Sequence, residues 1–560
     1  MVSPPTPENY RVDRWDGSTF EALREEFEWE IPDQFNLATY VCDRWADDSG
    51  QTALYETRND GTKDEWTFQE VQRAANALAT HFDNAGIERG DHIAVSGSQR
   101  PETIITHIAA WKLGAVSVPV SVLLGPDGLH NRLADVSPKA HLAYGENIAA
   151  CREIWSALTS VQVHLTGERV TTTDDEISFV DAVAAESSEF ETVETAADDP
   201  AIVFYTSGTT GDPKGVVHRH SSILGILPAA LTLHNLVVDD KEVYRAVSEL
   251  SWVQSLLDVA LPGLFFGIPF VLHDRTEFDP IQELRLIDEY DVTVEWIPPA
   301  ALRLLREREK EIEHFDLSSL RVVGSGGSAL GDNLVAWAEE VFPNAVVHEA
   351  YGQTELPACI GDCSALGVPH RAGRMGRPSP GYEVTVLDQE TESPLEDSGQ
   401  VGELAVRADT PLCFLEYRNQ PEQTAAKVTD DGWLRCEDLV SIDEDGYVAF
   451  HGRADDVIIS AGYRLSPAEI EETVTSHAAV RDAGVLGIPH EVRGEVPKAV
   501  VVLNDGYTAS ETLAKDIENH VKERLAKYEY PREIAFVEEL PRTRTGKVRR
   551  DALRETEESR

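Results

Sequence analysis

Lysine and sulfur are scarce in this chain of 560 residues, which has 12 lysines, two methionines and six cysteines. The cysteines, scattered from Cys42 to Cys436, make no disulfide framework at this length, which excludes the small stapled secreted scaffolds. No apolar run reaches 18 residues, and Met1 to Asp16, with Pro4, Pro5 and Pro7, lacks a signal-peptide core. A membrane-spanning or secreted protein is not expected. Positive charge is short as well: 49 Lys and Arg stand against 99 Asp and Glu, a formal net charge of −50. A nucleic acid needs a basic face, so it is excluded as a partner. There is no His-Glu-x-x-His, Gly-x-Ser-x-Gly or dinucleotide pattern, and the pair Cys359 and Cys363 has no second pair at zinc-like spacing.

With 42% hydrophobic and 8% aromatic residues, the chain can bury a large core and is not a disordered acidic tail. Its acidic residues are dispersed, for example at Asp174–Glu176, Asp443–Asp445 and Glu555–Glu558, and 37 of the 49 basic residues are arginine. That balance fits a halophilic, cytoplasmic protein, because salt near 1 M shortens the Debye length to ~3 Å and screens the repulsion. Strand-like and helical runs alternate: His92–Ser96, Glu102–Leu113 and Ala115–Val122, then Phe270–Leu272, Ile281–Tyr290, Val292–Ile297 and Arg303–Glu311. This rhythm predicts an α/β fold of layered, mainly parallel sheets. Thr171–Asp199 reads as a surface connection. Gly381–Phe450 reads as a β-rich region with turns at Ser398–Gly399 and Asp431–Gly432, followed by a small α+β domain.

The stretch Thr206-Ser207-Gly208-Thr209-Thr210-Gly211-Asp-Pro-Lys214-Gly215 follows the apolar run Ala201–Phe204 and precedes Val216–Ser222, which can open a helix. Small residues let backbone N–H groups surround phosphate oxygens, hydroxyls add donors, and Lys214 adds positive charge. Lys214 lies between Pro213 and Gly215, so this is not a Walker A loop.

This loop resembles the signature loop of the adenylate-forming superfamily, which comprises acyl-CoA synthetases, carrier-protein adenylation domains and luciferases. Four further stretches match that family's motifs in order: Tyr351–Glu355 (Tyr-Gly-Gln-Thr-Glu), Trp433–Asp438, Gly452–Glu469 and Pro541–Lys547. Within the family the chain looks closest to medium-chain acyl-CoA synthetases, through Tyr351–Glu355, Ser460–Arg464, Val492–Glu495 and Tyr528–Arg532. The resemblance implies residues 1–453 as an N-terminal adenylation domain and 454–560 as a mobile C-terminal domain.

It also implies a two-step ligase using ATP, Mg²⁺ and coenzyme A, and it assigns roles residue by residue. Lys547 bridges carboxylate and α-phosphate, Glu355 holds Mg²⁺, and Thr354 donates to the α-phosphate. Tyr351, with Gly352 and Gln353 after it, faces adenine, as does the turn at Gly327 and Ser328, where the family often has an acidic residue. Asp438 takes the ribose hydroxyls with Arg453, Arg464 meets phosphate, and Asp455 is the hinge. Gly462 and Lys522 face coenzyme A. By residue type alone Tyr351 and Trp252 serve equally well as core, Lys522 as a solvated helical lysine and Asp455 as a turn residue. Relatives specific for acetate carry Trp where this chain has Gly352, so the acyl pocket, lined by Trp252, Val253 and Gly352, is expected to be open. Each CH₂ buried there is worth ~0.8 kcal/mol, favouring short- to medium-chain or branched acids over acetate. An acetyl- or propionyl-CoA synthetase, or a ligase loading a carrier protein, is the alternative.

Overall fold

The computed structural model describes residues 10–554 except 16, 145–146, 168–171, 207–212, 240, 275–276, 329, 455, 457, 461–462, 466, 491–493, 526–529, 543–547 and 551. The chain forms two compact units. The first comprises residues 1–371, 375–382 and 407–428, and the second comprises 372–374, 383–406 and 429–560. The boundary expected after residue 453 falls inside the second unit, where the strand Val448–Arg453 ends.

Among the described residues, the first unit contains an eight-stranded and a nine-stranded sheet. His92–Ser96 lies between Val116–Pro119 and Ala140–Ala143, all parallel. Phe270–His273, Tyr244–Ala246, Val294–Trp296, Val322–Gly326 and Val346–Tyr351 continue in parallel through the other sheet. Strands such as Phe270–His273 are buried along their whole length, as a parallel sheet covered on both faces requires. One apolar cluster joins Leu284, Ile287, Ile297, Leu302, Val323 and Val347; another joins Ala94, Val118, Leu133, Trp155, Val203 and Val217. The α/β expectation therefore holds, and the helices fall at Pro101–Leu113 and Pro280–Tyr290 as read.

Three local expectations are corrected. Val216 and Val217 do not open a helix: Lys214–Arg219 is a strand, and the helix begins at Ser222. The β-branched pair packs into the sheet, and Val217 joins the core beside Val203. The connection at 171–199 contains a strand, Ile177–Ser178, and a helix, Phe179–Ala185, capped by the Ser178 hydroxyl. The helix expected over 303–311 is two, Pro299–Arg306 and Glu309–Ile312.

In the second unit, a four-stranded sheet pairs Val384–Leu387 antiparallel with Gly402–Arg407 and Trp433–Ile442 antiparallel with Val448–Arg453. Its turns include Gly399 and Gly432, both at positive φ, as Gly tolerates and most residues do not. A further sheet pairs Val480–His490 with Gly494–Leu503, and the latter with Glu533–Val537. The helices Pro467–Thr475 and Glu511–Arg524 cover it, burying Ile470, Val474, Ile517 and Val521 against Val485 and Val501.

Candidate active site

Thr206 ends the strand Pro200–Thr206 and pairs directly with Lys214 across an antiparallel ladder. Lys214 therefore stands at the end of this ladder, opposite Thr206. Ser207, Gly208, Thr209, Thr210 and Gly211 lie outside the described residues, as do Asp455, Gly462 and Lys547; of Arg464 only its place in the strand Tyr463–Leu465 is described.

The segment after Tyr351 docks on that ladder. Tyr351 closes the strand Val346–Tyr351, is buried, and accepts a hydrogen bond from Gln353 Nε2 at 3.0 Å. The next residues form a loop whose backbone groups are held from several sides. Gln353 N–H donates to Leu356 C=O (2.7 Å), Cys359 N–H to Tyr351 C=O (3.1 Å) and Phe414 N–H to Glu355 C=O (2.9 Å). His218, on the strand that starts at Lys214, donates from Nε2 to Thr354 C=O at 2.7 Å. Burial pushes its pKa down to about 4, so the ring is neutral, and a carbonyl can only accept, which fixes the proton on Nε2. Glu355 is half-buried, and its Oε1 accepts the Tyr417 hydroxyl at 2.6 Å. Tyr417, in the edge strand Glu416–Tyr417 beside Lys214–Arg219, also carries the Lys214 ammonium over its ring, 4.9 Å from the centroid. Thr206, Lys214, Thr354 and Glu355 are therefore brought into one constellation.

Gly352 is exposed, yet a Cβ there would stand 2.6 Å from Ala358 N and 2.7 Å from Pro357 C. A side chain at 352 meets backbone before any pocket, so a tryptophan would not simply fill a slot. Gly352→Ala should push the Pro357–Ala358 segment away and misplace Thr354 and Glu355, lowering the turnover of a reaction at this site by about 10²-fold, since a shift near 1 Å has that effect. Wild-type activity and melting temperature in that variant would show that the loop yields freely.

Trp252 and Val253 are both half-buried and lead into the π-helical segment Gln254–Ala260. Such turns recur at functional sites. Leu256 and Leu257 are fully buried. Gln254 Nε2 lies 3.6 Å from where a Gly326 Cβ would be, and Asp258 Oδ1 accepts Ala358 N–H at 3.3 Å. Burial raises the Asp258 carboxyl far above the usual range. The Asp258 contact ties this segment to the loop that follows Gly352.

Gly324 and Gly326 belong to the strand Val322–Gly326, where a Cβ would meet the Trp296 ring at 2.4 Å and Ala350 O at 2.7 Å respectively. The turn proper begins at Gly327, at positive φ and exposed, with Ser328 exposed beside it. Glu349 anchors the turn by accepting Leu330 N–H at 3.2 Å, and burial lifts its pKa to about 7.

In the second unit, Asp438 pairs with Arg453 across neighbouring strands. Arg453 Nη1 reaches Asp438 Oδ1 at 3.3 Å and Nη2 reaches Glu437 Oε2 at 3.2 Å. Glu437 has a φ of +58°, a left-handed kink just before Asp438. Asp438 is nevertheless 4% exposed, so its pairing with Arg453 offsets much of its desolvation. Lys522 bonds Glu518 one turn earlier and lies 4.0 Å from the Tyr530 ring centroid. That glutamate raises its pKa. His218, Tyr417, Asp258 and Glu349 were not singled out from sequence as site residues. Only His218 and Glu349 lay close enough to a motif to draw attention.

The family model described as AMP-binding enzyme matches residues 42–417, and the AMP-binding enzyme C-terminal domain matches 469–547. The chain is 33% identical to an uncharacterized acyl-CoA ligase of Bacillus subtilis, covering 94% of this chain and 97% of that one. It is 31% identical to a mitochondrial acyl-coenzyme A synthetase of Rattus norvegicus, covering 96% and 93%. Its structure is similar to that of an anthranilate CoA ligase in complex with anthranoyl-AMP, with a TM-score of 0.83, 26% identity and coverage of 94% and 98%.

Proposed function

Because this chain belongs to the AMP-binding enzymes and is an acyl-CoA synthetase, an acid–thiol ligase, we propose that it activates a short- to medium-chain or branched carboxylate as its acyl-adenylate and transfers the acyl group to coenzyme A. A carboxylate oxygen attacks the α-phosphorus of ATP, the bond to the bridging oxygen breaks, and pyrophosphate leaves. The thiol sulfur then attacks the acyl carbon, the bond to the phosphate oxygen breaks, AMP leaves, and the thiol proton passes to solvent. The observation that carries this reading is the docking of the Thr354–Glu355 loop onto the strand that begins at Lys214. It brings Thr354 and Glu355 to the strand that Lys214 opens, and a hydroxyl, a carboxylate that can hold a cation and an ammonium are the groups that an anionic triphosphate calls for.

The donors also suit Mg²⁺. Glu355 Oε1 is engaged by Tyr417, which leaves Oε2 as the oxygen to meet a cation. No group of three or more metal-ligating side chains occurs among the described residues, so phosphates and water would complete the coordination. Glu355 would hold the ion, whose charge neutralises the triphosphate. Thr354 and Lys214 orient the phosphate oxygens, Asp438 with Arg453 accepts and steadies the ribose hydroxyls, and Tyr351 lies along adenine. Arg464 meets phosphate, Asp455 is the pivot, and Gly462 with Lys522 faces coenzyme A. Trp252 and Val253 line the acyl slot.

The enzyme is halophilic and cytoplasmic in this reading, its −50 charge screened by salt. None of its described helices is long and apolar enough to cross a membrane. The test is AMP formation in ~2 M KCl, a concentration that screens surface charge, across C2 to C12, branched and aromatic acids, with and without coenzyme A. Turnover that depends on coenzyme A and peaks beyond C3 is expected. A maximum at acetate would make it an acetyl- or propionyl-CoA synthetase, and pyrophosphate release indifferent to coenzyme A would point to a carrier protein. Full activity and an unchanged melting temperature without salt would remove the halophilic part alone.

A further inference from the structure

The two ends of Tyr417 are engaged by groups of opposite charge. Its hydroxyl donates to Glu355 Oε1 at 2.6 Å, and its ring face carries the Lys214 ammonium at 4.9 Å from the centroid. The side chain is 2% exposed, so both contacts are made by a ring that the fold holds firmly. The ladder explains why. Tyr417 pairs with Val216, two residues beyond Lys214 on the same strand, so Lys214 and Tyr417 are diagonal neighbours on one face. Arg418 N–H donates to Gly215 C=O at 2.7 Å and Leu415 N–H to Val217 C=O at 2.8 Å, locking the register. Phe414, whose N–H holds Glu355 C=O, packs against the Tyr417 ring with centroids 4.8 Å apart.

A lysine and a glutamate at the edge of a phosphate site have an obvious alternative, which is to pair with each other. That pairing would occupy the carboxylate with an ammonium and leave both groups unavailable to the substrate. A tyrosine between them prevents it by giving each a different partner. The ring's negative face attracts the cation, while the hydroxyl, a neutral donor, orients the carboxylate without neutralising it. We infer that Tyr417 is a positioning residue that separates Lys214 from Glu355, keeping the Glu355 carboxylate oriented and open to a divalent cation and Lys214 poised for the triphosphate. The inference rests on the proposed role of Glu355 as the cation ligand. It adds that the affinity of that site is set by a residue 62 positions further along the chain.

The test pairs Tyr417→Phe, which keeps the ring and removes the hydroxyl, with Tyr417→Leu, which removes both contacts. The probe is Mn²⁺ binding, followed by electron paramagnetic resonance with a non-hydrolysable ATP analogue, together with the Mg²⁺ dependence of ATP–pyrophosphate exchange. Tyr417→Phe is expected to weaken Mn²⁺ binding and raise the half-saturating Mg²⁺ roughly tenfold, the scale of one lost hydrogen bond to a charged group. Its KM for the carboxylate and its thiolysis of supplied acyl-AMP should stay unchanged. Tyr417→Leu should weaken the cation further and also raise the KM for ATP, because Lys214 is then free to pair with Glu355. Cation curves in Tyr417→Phe that superimpose on wild type would overturn the inference, as would a loss spread evenly over both half-reactions. If the wild-type protein itself binds no Mn²⁺ with the analogue, the cation role of Glu355 fails first, and this inference with it.

Discussion

In the proposed two-step reaction, Lys547→Ala is expected to slow acyl-adenylate formation by about 10²- to 10³-fold, the usual loss when one preorganised donor to a developing charge is removed. Thiolysis of supplied acyl-AMP is expected to proceed near the wild-type rate. The asymmetry follows from charge. The first step drives a carboxylate onto an anionic triphosphate, and a cation that touches both lowers the repulsion where it peaks. In the second step the thiol attacks a mixed anhydride that carries one negative charge instead of a triphosphate, so there is far less repulsion between the reactants for the same cation to relieve. ATP–pyrophosphate exchange reads the first step alone, and consumption of acyl-AMP with coenzyme A reads the second. Equal losses in both would show that Lys547 supports the fold or the thiol step rather than the bridging of two anions. The residue lies at the end of the matched C-terminal domain, where Arg542, Arg544, Arg549 and Arg550 surround it in sequence. Nearby charge alone therefore does not single it out, and the half-reaction split is the informative readout.

Stability falls steeply as the pH drops from 6.5 toward 4.5. His107, His141, His218, His220 and His234 are at most 1% exposed, and burial holds their pKa values at about 3 to 4. For His107 and His234 neither ring nitrogen has a partner among the described residues. The unfolded chain takes up a proton on each near pH 6.5 and the folded chain does not, so their stabilising share is intact above 6.5 and is lost toward the folded values. Each costs about 1.4 kcal/mol per pH unit in that window, or about 7 kcal/mol for the five. Glu349 and Asp258 act in the opposite sense. Burial raises both, so the folded protein retains protons that the unfolded chain has released, and their contribution grows as the pH falls. The five histidines outnumber these two carboxyls, so the net change keeps the histidines' sign and stability falls with falling pH. Thermal unfolding at pH 7, 6 and 5 in one fixed salt concentration checks it, with His107→Leu expected to remove one group's share of the slope. An unchanged melting temperature from pH 7 to 5 would mean that these rings are not buried neutral.

The legible parts of the site were those whose chemistry sits in consecutive residues. A phosphate loop needs small residues, hydroxyls and a cation side by side, so the run from Thr206 to Lys214 declares itself, and so does Tyr351 to Glu355 with its aromatic, hydroxyl and carboxylate. The apolar runs His92–Ser96 and Pro101–Leu113 likewise report one element each, by their length and composition and not by a period, because both are buried almost throughout. The misread segment, Val216–Arg219, failed for a related reason. A strand following a phosphate loop is decided by the ladder available to it, here Pro200–Thr206 on one side and Glu416–Tyr417 on the other.

What the sequence by itself determined is the order of the motifs, the α/β class, the acidic balance and the family, since each depends on residue types along the chain. Tertiary structure alone decided which partners those residues have. His218 reaches Thr354 across 136 positions, Asp258 reaches Ala358 across 100, and Tyr417 reaches Glu355 across 62. It also decided that the missing side chain of Gly352 makes room for the Pro357–Ala358 backbone. Hydrogen bonds and excluded volume act over a few ångströms in space, and no local pattern of residue types carries that distance when the chain must fold back to create it.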